Sequence, residues 1–184
     1  MNIVLIGYRG TGKSIIGRRI AERLQIPFYD TDELIKKHTG KTIREIVEEK
    51  GWEAFRKEEK ETIKRLSTVK KSVIATGGGA VMDEENLDVL KKMGVFVWLS
   101  ADVGTIIERM GRDKVSGEQR PALSDNDLYR ETVDVLEMRT PIYRRLADIT
   151  IDTSKKSIDE IVDEVCRFFK KHNYSATKSP RHKA

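Results

Sequence analysis

Cysteine is almost absent from this chain: Cys166 is the only one. A lone thiol excludes an internal disulfide framework, which agrees with a reducing cytoplasm. Cys166 falls among Ile158, Ile161, Val162, Val165, Phe168 and Phe169, a helical apolar pattern, so it reads as a buried structural thiol rather than a nucleophile. No apolar run approaches the ~20 residues of a membrane span, and no signal-peptide pattern opens the sequence. Zinc-ligand spacing is missing, as is the interleaving of aromatic and basic residues that marks a nucleic-acid surface. There are no internal repeats and no long low-complexity segment. These absences predict a cytoplasmic protein with neither a membrane nor a nucleic-acid partner.

What is present fits one charge-laced globular domain. The 184 residues suffice for a real core, with 38% hydrophobic and 35% charged residues. The net charge is +5, but bases and acids alternate, as in Arg56-Lys57-Glu58-Glu59-Lys60-Glu61, the mark of a solvated helix face. A monomer is expected.

Chemistry enters at Gly7-Tyr8-Arg9-Gly10-Thr11-Gly12-Lys13-Ser14, which meets every fixed position of the G-x-x-x-x-G-K-[ST] phosphate loop. An apolar strand, Asn2 to Ile6, precedes it, and Ile16, Ile20 and Leu24 follow at helical spacing. Strand, glycine loop and helix are what nucleotide binding needs. Backbone N–H groups curl around phosphate oxygens, and the helix start adds positive potential. Lys13 can reach the β- and γ-phosphates, and the Ser14 hydroxyl can sit on Mg²⁺.

Along the chain, further strands are predicted at 26–29, 73–76, 95–99 and 149–151, separated by helical patterns. Thr42-Ile43-Arg44-Glu45 and Ser157-Ile158-Asp159-Glu160 read as capping boxes. Gly51 interrupts, and Trp52, Phe55, Ile63 and Leu66 give the next helix an apolar face. The polar, glycine-containing segment at about 111–123 reads as a lid, and residues 173–184 as a flexible tail. Alternating strands and helices predict an α/β fold: a short five-stranded parallel sheet between helical layers, in a single domain over residues 1–172. Its ligand crevice should lie at the carboxyl ends of the strands. The phosphate loop, Asp30-Thr31-Asp32 and Gly77-Gly78-Gly79 each follow a strand, so they should converge there.

Asp30 and Asp32 flank one residue of a segment predicted to be extended, which would aim both carboxylates the same way. One could hold Mg²⁺ and the other orient an acceptor hydroxyl, although paired acids at a strand end are also common as caps. The glycine triplet could be a flexible turn or a site of close backbone approach to a small polar ligand. Arg56, Arg120 and Arg139 sit in suggestive surroundings, Arg139 at a predicted helix end. Arginine suits carboxylate and phosphate recognition, yet spacing alone does not single out these three.

Taken together, the motifs resemble the shikimate kinases, in the nucleoside-monophosphate-kinase-like P-loop group. The resemblance runs from Asn2 to about Phe169. It rests on the loop at 7–14, Phe-Tyr-Asp-Thr-Asp at 28–32, Phe-Arg at 55–56, Gly-Gly-Gly-Ala-Val at 77–81, Arg-Pro at 120–121 and Arg-Thr-Pro-Ile-Tyr-Arg-Arg at 139–145. It implies transfer of phosphate from MgATP to the 3-hydroxyl of shikimate, in aromatic amino-acid biosynthesis. By the same resemblance, Asp32 is the candidate base, with Lys13 and Arg120 around the transferring phosphate. Ser14 and Asp30 would hold magnesium. Gly10, Thr11, Gly12, Lys13, Ser14, Ile15, Arg109, Arg120 and Lys156 would meet the nucleotide. Asp32, Phe55, Arg56, Gly77, Gly78, Gly79 and Arg139 would meet shikimate, within a helical region at about 32–62.

Three positions depart from the family pattern. Ala122-Leu123 follows Arg-Pro where two leucines are frequent, Ile15 replaces a common threonine, and Lys156 stands where some relatives use arginine. Two other readings keep the phosphate loop. A gluconate-type kinase would not require Arg56, the glycine triplet and Arg139 together, and a nucleotide switch has no evident need of Asp32, Arg56 and Arg139.

Overall fold

The structure is a computed structural model that describes residues 1–112 and 128–178, with side chains described as far as residue 172. Its centre is strand β1 (Asn2–Ile6), buried at all five positions. A strand apolar on both faces belongs inside a parallel sheet, and β1 lies there, between β3 (Val73–Ala75) and β4 (Gly94–Ser100). The edges are β2 (Phe28–Asp30) and β5 (Ile149–Asp152), giving the order β2-β3-β1-β4-β5 with every pairing parallel.

Side-chain alternation along β1 splits the core into two layers. Ile3 and Leu5 join one cluster, which packs on α1 (Lys13–Leu24) and on the last helix, α7 (Ile158–Lys178). Val4 and Ile6 join the other, against α3 (Ile43–Leu66), α4 (Glu84–Met93) and Tyr143 of α6 (Leu128–Leu146). Each fully buried aliphatic side chain contributes about 1.5–3 kcal/mol. A third, smaller cluster of Ile35, Ile43, Ile46 and Phe55 joins α2 (Thr31–Thr39) to α3, off the sheet. Helix α5 (Val103–Arg112) follows β4. Cys166 is buried and unpaired in the first cluster. Among the described residues, no helix is long and apolar enough to cross a membrane.

Both predicted capping boxes form: Thr42 and Glu45 bond reciprocally, as do Ser157 and Glu160. Gly51 kinks α3 with φ 79°, a left-handed conformation that glycine adopts without strain. Several expectations are corrected. Asp30 is not followed by extended chain; α2 begins at Thr31, and Asp30 caps it by accepting from Asp32 N and Glu33 N. Asp32 therefore stands in a first helical turn. Arg139 does not sit at a helix end, because α6 continues through Pro141 to Leu146. The bond lost at proline is offset there by Tyr143, which is fully buried and whose ring tilts against Trp98 at 5.9 Å. Trp52 is 39% exposed rather than packed into the core, and its ring meets Phe55 edge-on. Gly111 and Arg112 belong to α5, and the remainder of the predicted lid, with Arg120 and Ala122-Leu123, lies outside the described residues. Helix α7 extends to Lys178, into the predicted tail, and residues 179–184 lie outside the described residues.

Candidate active site

The phosphate loop leaves β1 and enters α1 at Gly12, whose φ of 89° is left-handed. No side chain caps this helix. By contrast Asp30, Thr42, Asp83, Asp102 and Ser157 cap the starts of α2, α3, α4, α5 and α7. Open N–H groups at a helix start favour an anion. Lys13 is buried, and its Nζ donates to the Gly7 and Tyr8 carbonyls at 2.8 and 2.7 Å, folding the ammonium over its own loop. Thr11 Oγ1 donates to the Tyr8 carbonyl at 2.7 Å. Ile15 is 57% exposed, so the departure at that position fills no core space.

Ser14 Oγ lies 2.5 Å from Asp30 Oδ2. Burial pushes the Asp30 carboxyl above its ordinary value and the neighbouring Asp32 adds to the rise, against the hydrogen bonds from Ser14 and Glu33 N. A cation there would relieve both burdens. Hydroxyl and carboxylate oxygens are the hard donors that suit Mg²⁺. Among the described residues, no group of three or more His, Cys, Asp or Glu could hold a metal. An ion at Ser14 and Asp30 would therefore draw further ligands from water and nucleotide phosphate.

On the other side of the loop, Arg109 of α5 donates to Thr153 Oγ1 at 2.9 Å and to the Thr153 carbonyl at 2.6 Å, and reaches the Gly10 carbonyl at 3.4 Å. Thr153 is fully buried, with its hydroxyl near the Ser100 and Thr11 carbonyls. Arg109 is thus braced against the loop. Lys156 instead pairs with Glu164 of α7 at 2.5 Å.

The residues expected to meet the acceptor are assembled around the glycine triplet. Gly77 N donates to Thr31 Oγ1 at 2.9 Å, tying the turn to the helix start that carries Asp32. Tyr143 Oη donates to the Gly78 carbonyl, tying the turn to the helix that carries Arg139. A Cβ on Gly79 would lie 2.6 Å from Arg56 Nη2, so only glycine admits that guanidinium. Arg56 is further fixed by Glu59, which is fully buried and 2.5 Å away. Phe55 is itself only 1% exposed; it lies in the third cluster with its ring 5.1 Å from the Arg56 Cζ, as a floor beneath that group. Arg139 Cζ is 6.0 Å from the Tyr8 ring of the phosphate loop. Lys13, Asp30, Asp32, Arg56, the glycines and Arg139 thus meet at the carboxyl ends of β1, β2 and β3.

The family model for shikimate kinase matches residues 9–170 of the chain. The chain belongs to the shikimate kinase family. It is 46% identical to the shikimate kinase of Syntrophus aciditrophicus over 95% of this chain and 93% of that one. It is 42% identical to that of Caldanaerobacter subterraneus over 91% and 95%. Its fold superposes on the shikimate kinase of Acinetobacter baumannii, solved in complex with shikimate, with a TM-score of 0.86, 34% identity and 93% coverage of each chain. As a shikimate kinase it is a phosphotransferase of aromatic amino-acid biosynthesis, with ATP as donor and an alcohol as acceptor.

The sequence did not single out Glu59, Tyr143, Thr153 or Arg9. The loop after β5 does lie at a strand's carboxyl end, a signal that could have flagged Thr153. Glu59 was hidden in a charge run that resembles solvated surface.

Proposed function

We propose that this kinase transfers the γ-phosphate of MgATP to the 3-hydroxyl of shikimate, acting in the cytoplasm as a monomer. One observation carries the reading: the glycine turn holds Arg56 at Gly79 and is tied to the helix start that carries Asp32 and to the helix that carries Arg139, whose guanidinium lies near the ring of Tyr8 in the Lys13 loop. Arg56 and Arg139 grip the acceptor carboxylate, which fixes the hydroxyl that meets the phosphate. Asp32 orients that hydroxyl and accepts its proton. Lys13 leaves the Gly7 and Tyr8 carbonyls for the phosphate oxygens, while the open N–H groups of α1 hold the rest. Ser14 and Asp30 hold Mg²⁺, which when bound neutralises charge on the phosphates. Arg109 lies against the adenine, and Arg120 assists at the transferring phosphate.

The deciding experiment is ADP release with shikimate, with gluconate and with no acceptor, together with ³¹P NMR of the product. Turnover is expected with shikimate alone, giving a 3-phosphate. Turnover with gluconate, or without any acceptor, would refute the reading.

A further inference from the structure

The loop residue Arg9 carries the feature that the assigned roles leave unexplained. Its Nε and Nη2 are buried, and neither has a hydrogen-bond partner among the described residues. These two N–H groups form one edge of the guanidinium, the edge that matches the two oxygens of a carboxylate. Leaving such donors buried and unmet costs the full desolvation of each group. Arg9 Cζ lies 5.7 Å from the Tyr8 ring, the same ring that Arg139 approaches at 6.0 Å. The Tyr8 hydroxyl is also buried without a partner among the described residues. Arg9 N is 3.5 Å from the space that a Cβ on Gly78 would fill, so the residue borders the acceptor turn. Arg56, in contrast, already faces a buried carboxylate in Glu59. Two guanidiniums close to one aromatic ring, one with an unmet edge, concentrate positive charge that an anion would balance.

We infer that Arg9 is a third acceptor-binding arginine, whose Nε–Nη2 edge pairs with the carboxylate of the acceptor beside Arg139. The inference rests on the shikimate reading above. Arg56 then contributes orientation more than charge, and Arg9 and Arg139 supply the positive potential that selects an anionic acceptor.

The test compares the wild type with Arg9→Met and Arg9→Lys in steady-state kinetics on shikimate and on its carboxamide analogue. Arg9→Met should raise the KM for shikimate about tenfold and leave the KM for ATP within about twofold. Arg9→Lys, which keeps the charge but loses the two-pronged edge, should fall between. With the carboxamide, wild type and Arg9→Met should differ by less than about twofold. A rise in the ATP KM alone would make Arg9 a phosphate ligand and overturn the inference. So would an equal penalty on acid and amide, or an unchanged shikimate KM. A wild-type enzyme with no shikimate-dependent turnover would overturn the underlying reading instead.

Discussion

The two halves of the site are built on different foundations. The nucleotide half hangs from β1, which is buried throughout and flanked by two core layers. Its loop is held by its own backbone, through Lys13 and Thr11 to the Gly7 and Tyr8 carbonyls. The acceptor half leans on a cluster of four fully or nearly buried side chains between α2 and α3. Its glycine turn is held by side chains from distant parts of the chain, Thr31 and Tyr143, and Arg56 by Glu59 one helical turn away. Fewer buried apolar contacts mean a lower cost of local opening. A phosphate cradle common to many reactions is thus carried by the sheet, and the part proposed to choose the acceptor is carried by a smaller annex beside it.

Separable halves should respond separately to mutation. The largest effect is expected from Asp32→Asn, which should lower kcat by about 10²–10⁴ while ADP binding, followed calorimetrically, persists; near-normal turnover would remove Asp32 from the chemistry. Arg139→Ala should raise the shikimate KM by about tenfold or more with little change for ATP. Equal effects on both substrates would blur the division. Gly79→Ala sharpens it, because the added methyl displaces the Arg56 guanidinium without removing a charge: a several-fold rise in shikimate KM is expected, at unchanged ATP KM. Thr153→Val is the mirror case. It removes the hydroxyl partner of Arg109 while leaving the backbone carbonyl, and should raise the ATP KM by about two- to fivefold, with the shikimate KM constant.

The smallest effect concerns pH. Asp30 has a raised folded pKa, so the native state keeps its proton longer than the unfolded chain does. The contribution of Asp30 to the stability of the metal-free protein should therefore fall as pH climbs from the ordinary aspartate value of 3.8 through the folded one, then level off, against the opposite trend of carboxylates such as Asp102 whose values are lowered. Asp30→Asn retains Oδ1 as the cap of α2 and should abolish that fall. Near pH 7 its Tm in metal-free buffer should match or exceed the wild type, by about 2–4 °C for each 1 kcal/mol relieved. Added Mg²⁺ and ADP should stabilise the wild type more than the variant in thermal melts.

Much of the nucleotide half is legible from residues within one stretch of chain. The phosphate loop, the apolar run before it and the helical spacing after it are local patterns, and β1, α1 and both capping boxes form as those patterns require. The acceptor half is less legible because its geometry is made by long-range contacts. Asp30-Thr31-Asp32 looked extended because a strand precedes it, yet Asp30 followed by Glu33 is itself a helix-start signature. Arg139 looked terminal because of Pro141, and only the burial of Tyr143 against Trp98 carries the helix past it. Which arginines face the crevice depended on partners 46 to 65 positions apart along the chain, from Thr31 to Gly77 and from Gly78 to Tyr143.

Tyr8 belongs to both halves at once. Its carbonyl holds the Lys13 ammonium, and its ring backs Arg9 and Arg139. In the proposed mechanism phosphate draws Lys13 away, and the same residue that loses a bond on one side is the wall of the proposed acceptor pocket on the other. The two binding equilibria are then thermodynamically linked, and the linkage is reciprocal: whatever factor ATP contributes to the affinity for shikimate, shikimate must return to ATP.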